Sequence, residues 1–236
     1  MEEWGNSLFQ IAATIGYARK YSVNYVFPKY KDQNSINISQ DKFITLPDVN
    51  TRYDESEFKH TEIPFQENSE LHNLHGYFQS WKYFDHCKEE IKQAFTPKPI
   101  NNPELFRGVC SIHVRRGDYL KYPGHHPTQG LEYYKRAMKL IPCDKFLVIS
   151  DDPEYCKRIF KGDQFIVSES APQDVDFKTM ISCSHHIIAN SSFSWWAAYL
   201  GDSSEKVIVA PKNWFGPKLS STHKIDDLIP SHWKLV

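Results

Sequence analysis

The sequence predicts an α/β protein whose second half is a parallel sheet covered by helices on both faces, and three observations carry that prediction. Beyond Gly108, short apolar runs alternate strictly with helical patterns, the arrangement expected of a Rossmann-like domain. Four of those runs end in polar or charged clusters, and ligands of parallel sheets gather at the carboxyl ends of the strands. Between the halves, Pro97, Pro99, Asn101, Asn102 and Pro103 interrupt any regular structure, which marks a domain boundary near residue 100.

The first half, residues 1–100, opens on a helix. Leu8, Ile11, Ala12, Ile15 and Ala18 recur at helical spacing over residues 5–21, and residues 23–27 then read as a strand. Residues 28–64 are polar and turn-rich, and read as loops with short strands. Residues 71–78 form a further strand candidate, and residues 83–95 place Phe84, Cys87, Ile91 and Phe95 on one helical face. The second half, residues 101–236, reads as strand 108–114, helix 131–141, strand 145–150, helix 153–160, strand 164–167, helix 176–184, strand 185–189, helix 192–200 and strand 206–210. No internal repeat or low-complexity tract interrupts this order.

Composition narrows the function classes. Across 236 residues, 28 Lys and Arg stand against 29 Asp and Glu, so no global field draws the chain to nucleic acid or to an anionic membrane, and any anion site is local. The aromatic content of 14% suits carbohydrate or nucleoside faces as well as a core. Five scattered cysteines without a Cys-x-x-Cys pair point to reduced thiols, not to zinc or a redox centre. There is no apolar run of about eighteen residues, and Glu2 and Glu3 stand where a signal peptide would be basic. The expectation is a soluble, cytoplasmic chain.

Chemistry concentrates after the first strand of the second half, in His113-Val114-Arg115-Arg116-Gly117-Asp118. Adjacent guanidiniums repel unless an anion neutralises them, and their planar forks match phosphate oxygens. A phosphate or diphosphate site is one reading, and internal salt bridges, with Asp118 for example, are the other. At such an edge Arg115 is expected to contribute little to the core. The tripeptide Arg116-Gly117-Asp118 also matches an adhesion motif, but three residues recur by chance. Alternation places His113 on the same side of its strand as Arg115, where it contacts a base or sugar or is a buried, satisfied histidine. Asn190-Ser191-Ser192-Phe193-Ser194 joins a strand to a helix, so that it offers N–H groups and hydroxyls to a phosphate or merely caps the helix. In Asp174-Val175-Asp176 the second aspartate is placed as an N-cap, which argues against a metal site; its carboxylate also suits the two parallel N–H groups of a guanine edge. Asp151-Asp152-Pro153 reads mainly as a turn and helix start. The pairs His125-His126 and His185-His186 are read as structural, because neighbours along a strand point to opposite faces. No phosphate-binding Gly-Lys-Ser/Thr loop, dinucleotide Gly-x-Gly-x-x-Gly turn or Gly-x-Ser-x-Gly elbow occurs.

Four segments, taken together, resemble the α-1,2-fucosyltransferases: Gly5-Asn6-x-x-Phe9-Gln10-x-Ala12, Gly76-Tyr77-Phe78-Gln79-Ser80-Trp81, His113 to Tyr119, and Ile188-Ala189-Asn190-Ser191-Ser192-Phe193-Ser194-Trp195-Trp196. The match runs over nearly the whole chain. The His-x-Arg-Arg element is shared with other fucosyltransferases, so it speaks for GDP-fucose more firmly than for the linkage. The resemblance implies a GT-B-like α/β architecture of two Rossmann-like halves, the first small; the family has an apolar strand before the Gly-Asn helix and here only Met1 to Trp4 precede Gly5, so either that strand is missing or the sequence starts late. It also implies inverting transfer of fucose from GDP-β-L-fucose to a galactose-terminated glycan or oligosaccharide, with no metal or other cofactor required. By position, Arg115, Arg116 and Asp118 are the implied catalytic residues. His113, Asp176, Asn190, Ser191, Ser192 and Phe193 are implied to join both arginines in binding the donor, and Asn6 and Gln10 lie on the acceptor side.

Overall fold

The computed structural model describes residues 2–47, 51–65, 67, 71–169 and 171–236. Residues 48–50 of the expected loop region and Ser170 of the loop expected before the 176–184 helix lie outside them. Two units emerge: Glu2–Pro97 with Thr222–Pro230, and Lys98–Ser221 with Ser231–Val236.

The N-terminal unit is built around helix α1, Glu2–Tyr21. The expected stripe of Leu8, Ile11, Ala12, Ile15 and Ala18 is buried, and Phe9, Ala13 and Tyr17 widen it. Gly16 is required by close approach: a β-carbon there would lie 3.0 Å from the carbonyl carbon of Tyr83. The helix stops at Ser22, which takes the left-handed φ of 55°, while the N–H of Val23 closes onto the Ala18 carbonyl at 2.9 Å. Strand β1 (Phe27–Pro28) pairs in parallel with β2 (Phe43–Ile44), and β3 (Arg52–Asp54) with β4 (Asn73–His75). Helix α2, Lys88–Phe95, buries Ile91, Ala94 and Phe95.

Both strands expected in this half are shorter than their apolar patterns. The pattern over 23–27 yields only Phe27–Pro28, and 71–78 yields Asn73–His75. Beyond His75 the Glu55 carboxylate takes the N–H groups of Tyr77 and Phe78 at 2.7 and 3.0 Å, and Phe78 turns to a φ of 50°. A side chain thus replaces the neighbouring strand as hydrogen-bond partner. Among the described residues the unit's strands form two separate two-stranded sheets.

The C-terminal unit carries one six-stranded, all-parallel sheet. Its strands are β5 (Val109–Val114), β6 (Lys145–Ser150), β7 (Phe165–Val167), β8 (His185–Ile187), β9 (Ile208–Ala210) and β10 (Lys234–Leu235), in the spatial order β10-β9-β8-β5-β6-β7. Helices α3 (Leu131–Met138), α4 (Pro153–Ile159), α5 (Gln173–Ser182) and α6 (Ser192–Gly201) fall between the strands. The predicted alternation is therefore observed, with β10 added; its two exposed residues carry too little pattern to announce a strand. Cys110, Ile112 and Val114 of β5 pack with Tyr133, Tyr134, Val148 and Phe160 in the core. Helix α6 is buried from Phe193 to Leu200, as expected of a helix that is apolar all round. Among the described residues no helix is long and apolar enough to cross a membrane.

Candidate active site

Register brings the C-terminal unit's polar clusters to one sheet edge. Val114 of β5 pairs with Ser150 of β6, and Ile112 with Ile187 of β8, so the segments beginning at Arg115, Asp151 and Ile188 leave neighbouring strands on the same side. Such an edge is the usual ligand crevice of a parallel sheet.

The two arginines are held by carboxylates of the protein itself. Arg115 is 8% exposed; its Nη2 donates to Asp118 Oδ1, and its Nη1 lies 3.0 Å from Asp151 Oδ2. Arg116 donates its backbone N–H to Asp151 Oδ1 at 2.9 Å and its Nε to Asp152 Oδ2 at 3.0 Å, with its guanidinium 3.4 Å from the centre of the Tyr155 ring. Internal salt bridges are thus present, and they involve Asp151 and Asp152 besides Asp118. The expectation that Arg115 contributes little to the core is corrected: it is a buried cation between two carboxylates, and its loss would leave them uncompensated. Asp152 also caps α4, accepting the Tyr155 N–H at 3.0 Å, with Pro153 in the first turn. The helix start read from Asp151-Asp152-Pro153 is observed, whereas the clamp on the arginines was not legible. Its signal was an aspartate pair directly after an apolar strand.

His113 is 2% exposed, with no hydrogen-bond partner for Nδ1 among the described residues. Burial, helped by the nearby Arg115 charge, lowers its pKa to about 3, so the ring stays neutral. It packs 5.5 Å from Phe193, which packs 5.4 Å from Phe177. These rings tie β5, α6 and α5 together, and Phe193 itself is 2% exposed. His113 is therefore buried, as one reading had it, but its Nδ1 is not satisfied by any described residue.

Asp176 follows one turn into α5. The expectation that it caps the helix is corrected, because the helix begins earlier, at Gln173, with Pro172 in the cap position. The Asp176 N–H already reaches the Pro172 carbonyl at 3.1 Å. Burial alone pushes its carboxyl up to about 6. Asp174 pairs instead with Lys178 at 2.8 Å, so the two aspartates do not act together. Among the described residues no three His, Cys, Asp or Glu side chains are grouped to hold a metal ion.

The segment before α6 divides by role. Asn190 is buried; its amide donates to the carbonyls of Pro127 and Trp214 at 3.0 and 2.8 Å, and its Oδ1 accepts from Gln129 Nε2 at 3.1 Å. The Asn190 amide is thus committed to holding two loops. Ser191 occupies the cap position without a side-chain cap bond, and Ser191 and Ser192 are partly exposed. Helical geometry leaves the N–H groups of Ser192, Phe193 and Ser194 without intrahelical acceptors, at the positive end of the helix dipole. His185 and His186 are structural, as expected: His185 Nδ1 accepts the Val207 N–H at 3.0 Å, and His186 Nδ1 bonds Ser111 Oγ at 2.8 Å.

The N-terminal unit joins two of its own motifs. Gln79 Nε2 donates to Asn6 Oδ1 at 2.7 Å, and Gln10 Nε2 donates to the Gly76 carbonyl at 2.8 Å, across 73 and 66 residues of chain. Gln10 and Gly76 also line a cavity of about 250 Å³ that includes Phe27, His72, Asn73 and His75. Gln79 had no assigned role in the sequence pattern.

The chain is similar to known glycosyltransferases. The chain is 36% identical over 159 residues to an α-1,2-colitosyltransferase of Escherichia coli, covering 59% of this chain and 55% of that protein. It is 32% identical over 179 residues to the O-antigen biosynthesis glycosyltransferase WbnK of Escherichia coli, covering 66% and 59%. To galactoside α-(1,2)-fucosyltransferase 1 of Sus scrofa it is 31% identical over 164 residues, covering 54% and 42%. The alignments thus span roughly half of each relative's own length. A sequence model of the family described as Glycosyl transferase family 11 matches residues 21–235, nearly the whole chain, and the protein belongs to that glycosyltransferase family.

Proposed function

We propose that the chain moves L-fucose from GDP-β-L-fucose to a galactose hydroxyl of an oligosaccharide or glycan, forming an α-1,2 link with inversion and without a required metal. The observation that carries this reading is the doubled arginine loop at the carboxyl edge of the parallel sheet, in a chain of a glycosyltransferase family. In the displacement, the acceptor oxygen bonds to the anomeric carbon as the bond to the β-phosphate oxygen breaks. The electron pair leaves with GDP and the acceptor proton passes to solvent. Negative charge grows on the departing diphosphate, and preorganised donors stabilise it.

Arg115 and Arg116 would supply those donors, with the first-turn N–H groups of α6 and the hydroxyls of Ser191 and Ser192 beside them. A guanidinium carries five N–H groups, so carboxylates on some edges orient the fork while other edges meet phosphate. Asp118 would hold Arg115 in place. Asp176, half-buried with a raised pKa, would accept the two parallel N–H groups of guanine, while His113 and Phe193 would back the nucleoside pocket from within. Asn6 and Gln10 would serve the acceptor side. Similarity to the colitosyltransferase favours one second reading, a colitosyl donor at the same site.

The test is GDP release from GDP-fucose with and without lactose and related galactosides, with the product linkage assigned by NMR. An α-1,2-fucosylated product is expected. Binding of GDP-fucose without transfer to any galactoside would remove the acceptor assignment, and failure to bind would remove the donor. EDTA is expected to leave turnover unchanged; activity lost to chelator and restored by magnesium or manganese would overturn the metal-free displacement.

A further inference from the structure

We propose that Asp151 is the positioning residue of the arginine loop, fixing three consecutive residues, Arg115, Arg116 and Gly117, in the arrangement that receives the donor diphosphate. The inference rests on the reading of that loop as the diphosphate site and adds a residue which that reading does not use.

Two contacts and one close approach of backbone converge on one carboxylate. Oδ1 accepts the backbone N–H of Arg116 at 2.9 Å, and Oδ2 lies 3.0 Å from Nη1 of Arg115. A β-carbon on Gly117 would lie 2.7 Å from the same Oδ2, closer than atoms of that kind approach, so the glycine is what lets the loop wrap the carboxylate. The pairing of Val114 with Ser150 explains the meeting, since it sets the residues that follow β5 and β6 side by side.

The other two carboxylates cannot do this. Asp118 sits on the same loop, three residues from Arg115, and can move with it. Asp152 grips the Arg116 side chain from a position that also caps α4. Asp151 holds backbone and side chain together from a different strand, and its side chain is 11% exposed, against 23% for Asp118 and 33% for Asp152. A third carboxylate in an anion site also repels the incoming diphosphate. Orientation and affinity therefore oppose each other at this residue, and that opposition is measurable.

The decisive variant is Asp151→Asn, which keeps shape and the acceptor for the Arg116 N–H but removes the charge facing Arg115. The expected result is a kcat at least tenfold below the parent with a Kd for GDP that is unchanged or lower. A kcat within twofold of the parent overturns the proposal. So does a loss of GDP affinity and Tm in step with kcat, which is the mark of a merely structural role. Should Asp151→Asn fail to fold, Gly117→Ala pushes the loop off the same carboxylate and is expected to reproduce the loss of kcat; a normal kcat there also overturns it. Labelling of Arg115 by phenylglyoxal without nucleotide, read by peptide mass spectrometry, separates the clamp from its ligand. Asp151→Asn is expected to label several-fold faster, and an unchanged rate overturns the clamp. A parent chain that binds no GDP overturns the diphosphate reading and this role with it, and faster labelling would then place the failure in the ligand.

Discussion

The C-terminal unit is organised by continuous backbone pairing, whereas the described residues of the N-terminal unit form strands of two or three residues in two separate pairs. Where a sheet is continuous, register alone delivers distant loops to one edge, as Val114 with Ser150 does for Arg115 and Asp151. Where it is not, individual side chains tie the segments: Gln79 to Asn6, Gln10 to Gly76, and Glu55 to Tyr77 and Phe78. The bonds of Gln79 and Gln10 contribute only about 1 kcal/mol each, and those to the Glu55 carboxylate about 1.5–3 kcal/mol. Cooperative pairing should therefore resist single changes that leave its core intact, while the tied unit should loosen locally.

The largest effect is expected at Arg115. Arg115→Ala should lower transfer by roughly 10²–10³-fold, as removal of a transition-state donor does. It should also destabilise the chain by about 3–5 kcal/mol, because Asp118 and Asp151 then face each other unpaired. A transfer assay and urea denaturation check the two parts; full stability with lost turnover would mean the buried triad contributes little to the sheet edge.

Hydrogen exchange tests the comparison directly. Amides of β5, one of the central pair of the six-stranded sheet, and of its six-residue neighbour β6 should be the slowest in the chain, and those of β1 to β4 much faster. Equal protection in mass-spectrometric exchange would erase the distinction between the units.

Asp176 sharpens it on the C-terminal side. With its pKa raised to about 6, the folded chain binds this proton more tightly than the unfolded chain. The resulting stability is complete below the ordinary carboxyl value and is lost as pH rises through about 6. Above that, an ionised, half-buried carboxylate opposes folding until guanine N–H groups meet it. The Tm increase on adding GDP should therefore shrink as pH falls from 7 to 5, and Asp176→Asn should remove this dependence. A GDP effect that is flat with pH in the parent would separate Asp176 from the nucleotide.

The smallest effect is expected from Gln79→Ala, which removes the partner of Asn6 Oδ1. It should cost about 1 kcal/mol and raise the KM for the acceptor while leaving the Kd for GDP unchanged. A shift in GDP affinity instead would take Asn6 and Gln79 out of the acceptor side.

Period and punctuation made much of the second half legible. Alternating apolar runs announced β5, β6 and α6 within a residue or so, because strand and helix periods are local properties of the chain. The residue types at the strand ends likewise exposed Arg115, Arg116 and Ser192 as candidates. The N-terminal strands were overestimated, since an apolar pattern records burial and not whether a neighbouring strand or Glu55 takes the N–H groups. The start of α5 at Gln173 was missed because no sidechain capping residue marks it.

Local sequence thus dictates which segments can pair and which side chains can bind an anion. It does not dictate partners separated by long stretches of chain: that Asp151 clamps Arg115 and Arg116 across 36 and 35 positions, that Asn190 is committed to Pro127 and Trp214, or that Gln79 meets Asn6. Those pairings follow from strand register and packing, which depend on every element at once.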